Sequence, residues 1–167
     1  MSHISSITKI TNYLYLCGGR AITHHRLNMI GITDVINCTS NLPNRTESGI
    51  NCVQIPIPDH PSSELDVHFD KIADMINSVK SKGGKVIVHC VAGVSRSATL
   101  CIAYCMKYQK MTLFEAHNFV RAKRPIIRPN PGFWKQLTEY EKKLYGHNTV
   151  RMVNTIVGLM PNIYVNG

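Results

Sequence analysis

The chain has 167 residues, of which 44% are hydrophobic and 17% are charged. This length and apolar content predict one ordinary globular domain with a single core. No apolar stretch approaches the roughly 18 residues of a membrane span, and the start MSHISSITKI lacks the charged-then-apolar layout of a secretory signal. We therefore expect neither a membrane span nor a secretory leader.

The charge balance indicates anionic partners. The 19 Lys and Arg residues outnumber the 10 Asp and Glu residues, which gives a formal net charge of +9. A surface of this sign attracts phosphate esters, acidic peptides and nucleic acids. The charge alone narrows the class of partner without naming it.

The cysteine pattern favours reduced thiols over disulfides or a metal site. Most of the six cysteines lie inside apolar runs such as VINCT and TLCIAYC, as free thiols do in a reduced cytosolic core. No C-x-x-C pair occurs, which argues against a structural zinc site. The six are Cys17, Cys38, Cys52, Cys90, Cys101 and Cys105.

Strand-like and helix-like runs alternate through the first part of the chain. NYLYLCG and ITDVINCT are strand candidates, and THHRLNMIG between them is a helix candidate that ends at Gly31. The polar run NLPNRTESG predicts a loop, and CVQIPI predicts a further strand. Such alternation predicts an α/β domain whose sheet is at least partly parallel.

An amphipathic helix is predicted after Ser63, with Ser63 as its N-cap and Asp66 as an acidic residue in its first turn. Apolar residues recur there at steps of three and four, until Gly83 and Gly84 end the pattern. The stripe consists of Leu65, Phe69, Ile72, Ile76 and Val79. The short β-branched run KVIVH then predicts a buried central strand.

Three helices are predicted in the second half of the chain. SATLCIAYCMKY is apolar almost all round, which suits a helix in the middle of the domain. Thr112 and Glu115 have capping-box spacing at the start of the next helix. The last helix is predicted to begin at Pro131, with Asn130 as its N-cap, and to end before Gly146.

The stretch KVIVHCVAGVSRSA places a tight loop between a buried strand and a buried helix, from Cys90 to Arg96. Such a loop can point backbone N–H groups and the positive end of the helix dipole at one spot, which is an anion site. Amide dipoles, the helix N-terminus and a guanidinium favour the thiolate of Cys90 over the thiol. Cys90 is therefore a candidate nucleophile beside a bound oxyanion, and a plain core thiol is the alternative.

The other residues of this stretch fit the same site. Arg96 offers a planar fork that can grip two oxygens of a phosphoryl group, and Gly93 permits a positive φ close to the ligand. Ser97 can donate its hydroxyl to the sulfur and help it leave. We expect Ser95 to support the loop, and His89 to hydrogen-bond the loop and orient the sulfur rather than move protons.

This stretch resembles the signature loop of the cysteine-dependent protein phosphatases, H-C-x-x-G-x-x-R-S/T, and every fixed position is present. The resemblance implies that Cys90 attacks a phosphate monoester and forms a cysteinyl-phosphate that water hydrolyses, with no metal or organic cofactor. The residues implied to bind the substrate phosphate are Val91, Ala92, Gly93, Val94, Ser95 and Arg96.

The same resemblance implies a general acid on a separate upstream loop. Asp59 in IPIPDHP is the candidate for this acid, and an ordinary turn aspartate is the alternative. It also implies that the segment RPNPGFW buttresses the signature loop, so Asn130 has a supporting role beside its N-cap position. For the basic residues Arg121, Lys123, Arg124 and Arg128, a substrate-facing patch and a solvated helix end both stay open.

Within this superfamily the chain resembles the small atypical dual-specificity phosphatases, from SSITKITNYLYL through RPIIRPNPGFWKQLTEYEKKLYG. This implies a single α/β domain with a central, mostly parallel twisted sheet flanked by helices. We assign residues 1–146 to the catalytic domain and residues 147–167 to a C-terminal extension that packs on the domain or on a partner.

The resemblance implies phosphoprotein substrates that carry phosphotyrosine, phosphoserine or phosphothreonine. MAP-kinase pathway proteins are candidate substrates, although this sequence shows no counterpart of the docking domain with which the MAP-kinase phosphatases grip the kinase. The alternatives are a phosphoinositide or RNA-end phosphatase, which the uncharged side chains of the loop disfavour, and a phosphoprotein-binding module. We expect no nucleic-acid partner and a cytoplasmic and/or nuclear location, and the oligomeric state is left open.

Overall fold

The computed structural model describes residues 3–44 and 49–165, so residues 45–48 of the predicted loop NLPNRTESG lie outside the described residues. The elements found there are, in chain order, β1 (Thr8–Lys9), β2 (Leu14–Gly18), α1 (His24–Ile30), β3 (Asp34–Asn37), β4 (Asn51–Gln54), α2 (Phe69–Ser81), β5 (Val86–Cys90), α3 (Arg96–Tyr108), α4 (Leu113–Lys123), α5 (Pro131–Tyr145), β6 (Met152–Thr155) and β7 (Gly158–Pro161). None of the helices in these ranges is both long enough and apolar enough to cross a membrane.

The main sheet has five strands in the order β1-β2-β5-β3-β4. Strands β2, β5, β3 and β4 run parallel, and the edge strand β1 is antiparallel to β2. Parallel strands need crossover connections, and α1 and α2 supply two of them, one on each face of the sheet. The predicted α/β domain with a mostly parallel sheet is confirmed.

Strand β5 is the centre of this sheet, and all five of its residues are buried. Its side chains alternate between two cores: Val88 and Cys90 face the larger core that contains α3, and Ile87 faces the smaller core that contains Leu27 of α1. This alternation follows from the two-residue period of a strand. It fixes the side of the sheet on which Cys90 lies.

Helix α3 packs against β5 and against α2, α4 and α5. Eleven of its thirteen residues are buried, as the all-round apolar sequence predicts. Its first residue, Arg96, follows the loop that leaves β5. The end of the central strand and the start of the central helix therefore meet at one edge of the sheet.

Most of the helix ends lie where the sequence predicts them. Gly31 and Gly146 end α1 and α5 in the left-handed conformation, with φ of 85° and 76°. Thr112 and Glu115 form both bonds of a capping box at the start of α4. These ends depend on residues a few positions apart, which is why sequence spacing is enough to find them.

The predicted start of α2 is wrong. The helix begins at Phe69 rather than after Ser63, and residues 66–68 form a 3-10 turn before it. The backbone N–H groups of Leu65 and Asp66 donate to Oε1 of Gln136 in α5, at 3.0 and 2.9 Å. A distant side chain thus satisfies the N–H groups that a Ser63 cap would have served.

The segment after α5 folds back onto the domain, where β6 and β7 form an antiparallel hairpin. The indole N–H of Trp134 donates to the Tyr164 hydroxyl at 3.1 Å. Glu141 is fully buried and accepts bonds from the backbone N–H groups of Leu113 and Thr149, both at 2.7 Å. One carboxylate therefore ties the start of α4 to the residues that follow α5.

His117 of α4 is a buried titratable side chain beside the same segment. Its ring centroid lies 4.8 Å from that of Trp134 and 6.2 Å from that of Tyr164. Neither ring nitrogen has a hydrogen-bond partner among the residues that the structure describes. Burial lowers the pKa of His117 to about 4, so the ring is neutral in the folded protein at neutral pH.

The free energy of unfolding should therefore fall as the pH drops below about 6.5, because unfolded His117 binds a proton there and the native ring does not until about pH 4. Between about pH 7.5 and about pH 5 this group alone should remove about 2 kcal/mol of stability. Urea unfolding at both pH values measures the loss. The variant His117→Leu should lose this part of the pH dependence, and an unchanged slope would contradict the assignment.

Candidate active site

The loop of residues 91–95 connects the end of β5 at Cys90 to the start of α3 at Arg96. Cys90 is 3% exposed, and its Sγ accepts a bond from the Gly93 N–H at 3.3 Å. The Ser97 hydroxyl oxygen lies 3.1 Å from the same sulfur. The sulfur therefore lies inside the loop and beside the first turn of α3, which is the arrangement that the strand-loop-helix pattern predicts.

Four successive carbonyl groups of this loop accept hydrogen bonds from donors outside it. These bonds are Gly19 N–H to Val91 O (3.0 Å), Arg124 Nη2 to Ala92 O (3.3 Å), Arg124 Nε to Gly93 O (2.8 Å) and Arg128 N–H to Val94 O (2.8 Å). In a trans peptide the C=O and the next N–H point in opposite directions. The N–H groups of residues 92–95 are therefore turned away from these donors, as the Gly93 N–H on the sulfur shows.

Arg96 adds a charged donor at the same place. Its guanidinium is buried, and Nη1 donates to the Ile57 carbonyl at 2.9 Å. Its Nε has no acceptor among the described residues, and neither do the N–H groups of Ala92, Val94 and Ser95. An unsatisfied buried donor costs about 1–3 kcal/mol, and more when it is charged. Oxygens of a bound anion would satisfy these donors together.

A chain of hydrogen bonds joins Asp59 to this loop. The Asp59 carboxylate is exposed and accepts a bond from Asn130 Nδ2 at 2.9 Å, and the Asn130 backbone N–H donates to Ser95 Oγ at 3.0 Å. The Oδ1 atom of Asn130 accepts the N–H of Phe133 at 2.9 Å, which makes Asn130 the N-cap of α5. Asn130 is thus both a helix cap and a bridge between Asp59 and the loop.

Gly132 in the first turn of α5 allows the Asp59 segment to lie close to the loop. A Cβ atom at Gly132 would overlap the carbonyl group of Pro61, whose backbone passes directly over it. Only glycine leaves room for this approach. The sequence gives no sign of the contact, because NPG at a helix start is ordinary capping chemistry and Pro61 is far away along the chain.

The sequence matches a known family over most of its length. The family described as "Dual specificity phosphatase, catalytic domain" matches residues 14–143. The chain belongs to the dual-specificity phosphatase family. This phosphatase is 48% identical over 162 residues to human dual specificity protein phosphatase 14, and the match covers 96% of this chain and 82% of that protein. It is also 48% identical to dual specificity protein phosphatase 18 of Bos taurus, over 96% of this chain and 86% of that protein.

Solved structures agree with this assignment. The crystal structure of human DUSP28 matches with a TM-score of 0.79 and 31% identity, over 83% of this chain and 94% of that one. A mouse putative dual specificity phosphatase complexed with zinc tungstate matches with a TM-score of 0.80 and 30% identity, over 84% of this chain and 89% of that one. The protein is a protein phosphatase, and its substrates are phosphoproteins.

Gly93 of this phosphatase's loop has the positive φ that the sequence predicts, and His89 lies near the end of β5, just before the loop. Gly93 has a φ of 68°, and a Cβ atom there would lie 2.6 Å from the Cys17 carbonyl carbon. His89 is 4% exposed, and its Nδ1 lies 3.4 Å from the Cys90 carbonyl oxygen, to which it can only donate. Burial lowers the pKa of His89, which favours the neutral ring.

Arg124 has neither of the two roles that the sequence left open for it. It is fully buried at the end of α4, where it donates to the carbonyls of Ala92 and Gly93 and to Thr8 Oγ1 at 2.9 Å. It is therefore neither a solvated helix end nor part of a substrate-facing patch. Arg128 is exposed and lies 4.4 Å from the centroid of the Tyr164 ring. The burial of Arg124 has no signal in the sequence, because a basic residue before a proline is ordinary at a helix end.

Replacing Arg124 with Met should lower the free energy of unfolding by at least about 1–3 kcal/mol, because buried loop carbonyls lose their donor. It should also weaken binding of the phosphate mimic vanadate, since the loop is then less well held. Urea unfolding and a vanadate titration measure the two effects.

Arg121→Met is the matched control, since Arg121 is exposed on the same helix. Its unfolding free energy should stay within about 0.5 kcal/mol of the wild type. Equal losses in both variants would contradict a loop-supporting role for Arg124.

Proposed function

We propose that this phosphatase hydrolyses phosphotyrosine and phosphoserine or phosphothreonine residues of phosphoproteins through a cysteinyl-phosphate on Cys90. The observation that carries the proposal is a set of donors in the loop after Cys90 that have no acceptor among the described residues, namely the N–H groups of Ala92, Val94 and Ser95 and Nε of Arg96. Such donors fit the oxygens of a phosphoryl group. The tungstate in the mouse relative supports the proposal that the loop binds a phosphoryl group, because tungstate is also an oxyanion.

In the first step the Cys90 thiolate attacks phosphorus, and the bond from phosphorus to the ester oxygen breaks. The three other phosphoryl oxygens stay on the loop N–H groups and on Arg96, which stabilise the charge of the transition state. The Asp59 carboxyl gives its proton to the leaving oxygen. The bonds from Asp59 to Asn130 and from Asn130 to Ser95 support this role, because they hold the acid beside the loop.

In the second step a water molecule attacks phosphorus and the bond from phosphorus to sulfur breaks. The Asp59 carboxylate accepts a proton from this water, and inorganic phosphate leaves. The Ser97 hydroxyl and the Gly93 N–H lie 3.1 and 3.3 Å from Sγ and stabilise the departing thiolate. Both steps balance without a metal ion or an organic cofactor.

The loop chemistry favours phosphoproteins over phosphoinositides. The loop side chains that reach the surface or lie half-buried are Val91, Ala92 and Val94, and none of them has a charge or a hydrogen-bond donor for the additional phosphates of an inositol ring. The presence of Cys90, Arg96 and Asp59 in one arrangement favours turnover over binding alone. We also propose MAP-kinase pathway phosphoproteins as the first substrates to assay, and a cytoplasmic or nuclear location, which the six free cysteines support.

Release of inorganic phosphate from phosphotyrosine and phosphothreonine peptides tests the proposal. The wild type should cleave them in the presence of a chelator and should be blocked by vanadate, whereas Cys90→Ser should lose turnover and keep phosphopeptide binding. Cys52→Ser, a half-buried thiol of β4, is the matched control and should keep its activity. Appreciable turnover by Cys90→Ser would contradict the nucleophile assignment.

Asp59→Asn should slow cleavage of alkyl phosphates by about 10²-fold or more, and should slow cleavage of nitrophenyl phosphate much less, because nitrophenolate leaves without a proton. Gly132→Ala should show the same pattern more weakly, with kcat reduced and vanadate affinity kept, since it displaces the Asp59 segment and not the loop.

Asp66→Asn is the control for this pair of variants, since Asp66 is an exposed aspartate before α2. It should leave both rates near those of the wild type. If Asp59→Asn slowed the two substrates equally, Asp59 would not be the proton donor.

A further inference from the structure

A groove of about 440 Å³ lies next to the phosphate loop. It is lined by Ile4, Gly19, Arg20, Leu42, Val91 and Ala92. Because Val91 and Ala92 belong to the loop, the groove borders the loop that would bind the phosphate. The other half of the loop, Ser95 and Arg96, contacts the Asp59 side through Asn130 and Ile57. The groove therefore adjoins the half of the loop that does not contact that segment.

The wall of the groove opposite the loop is well held. The Leu42 N–H donates to Thr39 Oγ1 at 3.2 Å, and the Asn37 side chain donates to the Leu42 carbonyl at 2.8 Å. A Cβ atom at Gly19 would overlap the Leu42 side chain, so the glycine makes room for it. The floor is fixed by the bond from Gly19 N–H to the Val91 carbonyl. The groove is thus part of the folded scaffold.

The chemistry of the groove is apolar with one cation. Ile4 and Val91 are 48% and 44% exposed, which leaves apolar surface open beside the loop. Arg20 is exposed and forms no hydrogen bond or ion pair with any described residue. None of the lining residues that the structure describes is acidic. An apolar side chain and a carboxylate are the two groups that such a surface complements.

We propose that this groove binds substrate residues that flank the phosphoresidue on one side only. An apolar side chain next to the phosphoresidue packs against Ile4, Leu42 and Val91, and an acidic side chain beyond it pairs with Arg20. The inference deepens the proposed function and rests on it, because it specifies the phosphoprotein segment that the same site accepts. Two observations support it: the groove shares Val91 and Ala92 with the loop, and the exposed Arg20 has no ion pair with any described residue.

A set of phosphopeptides tests this groove. Each peptide carries leucine or alanine next to the phosphoresidue and glutamate or lysine beyond it, on either the amino or the carboxyl side. We expect kcat/KM to be about two- to five-fold higher for glutamate than for lysine on one side only, which is the range for an exposed ion pair. Leucine should be preferred to alanine on that same side.

The variants separate the groove from general electrostatics. Arg20→Glu should reverse the preference from glutamate to lysine, and Ile4→Ser should reduce the preference for leucine. Lys82→Glu is the matched control, because Lys82 is exposed before β5 begins, at the edge of the sheet opposite Cys90, and changes the net charge equally. It should keep both preferences. Each rate is compared with that on nitrophenyl phosphate, which does not reach the groove.

The outcomes distinguish the two proposals. Three results would contradict the groove proposal: equal preferences on both sides, no preference, or a preference that Lys82→Glu removes as fully as Arg20→Glu does. Peptide cleavage would still support the proposed function in each case. If no peptide is cleaved, the proposed function fails. The dissociation constants of the same peptides with Cys90→Ser then test the groove proposal separately, because binding to that variant does not depend on turnover. The same one-sided preference in binding would support the groove, and its absence would contradict it.

Discussion

The site depends on four hydrogen bonds that hold the carbonyls of residues 91–94 outward. Because a peptide group is rigid, fixing each carbonyl also fixes the next N–H on the opposite side. The donors come from the end of β2, the end of α4 and the segment before α5, through Gly19, Arg124 and Arg128. The loop therefore presents its N–H groups before any anion arrives, and no reorganisation is needed at the moment of reaction.

The start of α5 holds the Asp59 side of the site against the phosphate loop. The Asn130 side chain caps the helix and donates to the Asp59 carboxylate, and the Asn130 backbone N–H donates to Ser95. One residue therefore makes all three contacts. Gly132 then lets the Pro61 backbone lie against the same helical turn. The proposed acid and the loop that follows the proposed nucleophile thus share one support, and the Asp59 carboxylate itself is open to solvent.

Buried charge is used here to join elements that the sheet does not connect. Arg124 ties the end of α4 to the phosphate loop, and Glu141 ties the start of α4 to the residues after α5. Both side chains are fully buried and are satisfied by backbone groups together with neighbouring polar side chains. Such bonds offset the desolvation of the charge only when the geometry is kept, so they specify one arrangement of the helices more than they add stability.

Local sequence patterns are enough to predict most of the elements, the family resemblance and the position of the phosphate loop, but not β1, the start of α2 or the hairpin of β6 and β7. The signals are short: the H-C-x-x-G-x-x-R-S pattern, the capping box at Thr112, and glycines at helix ends. Each signal depends on residues a few positions apart in the chain, and at such short separations the sequence spacing largely sets the distance between the residues. The burial of Arg124 on a loop carbonyl 31 residues away, and the bonds from N–H groups about 70 residues away to Gln136, are visible in the folded structure alone. Contacts across such distances arise from packing, and a single chain carries no local pattern that marks them.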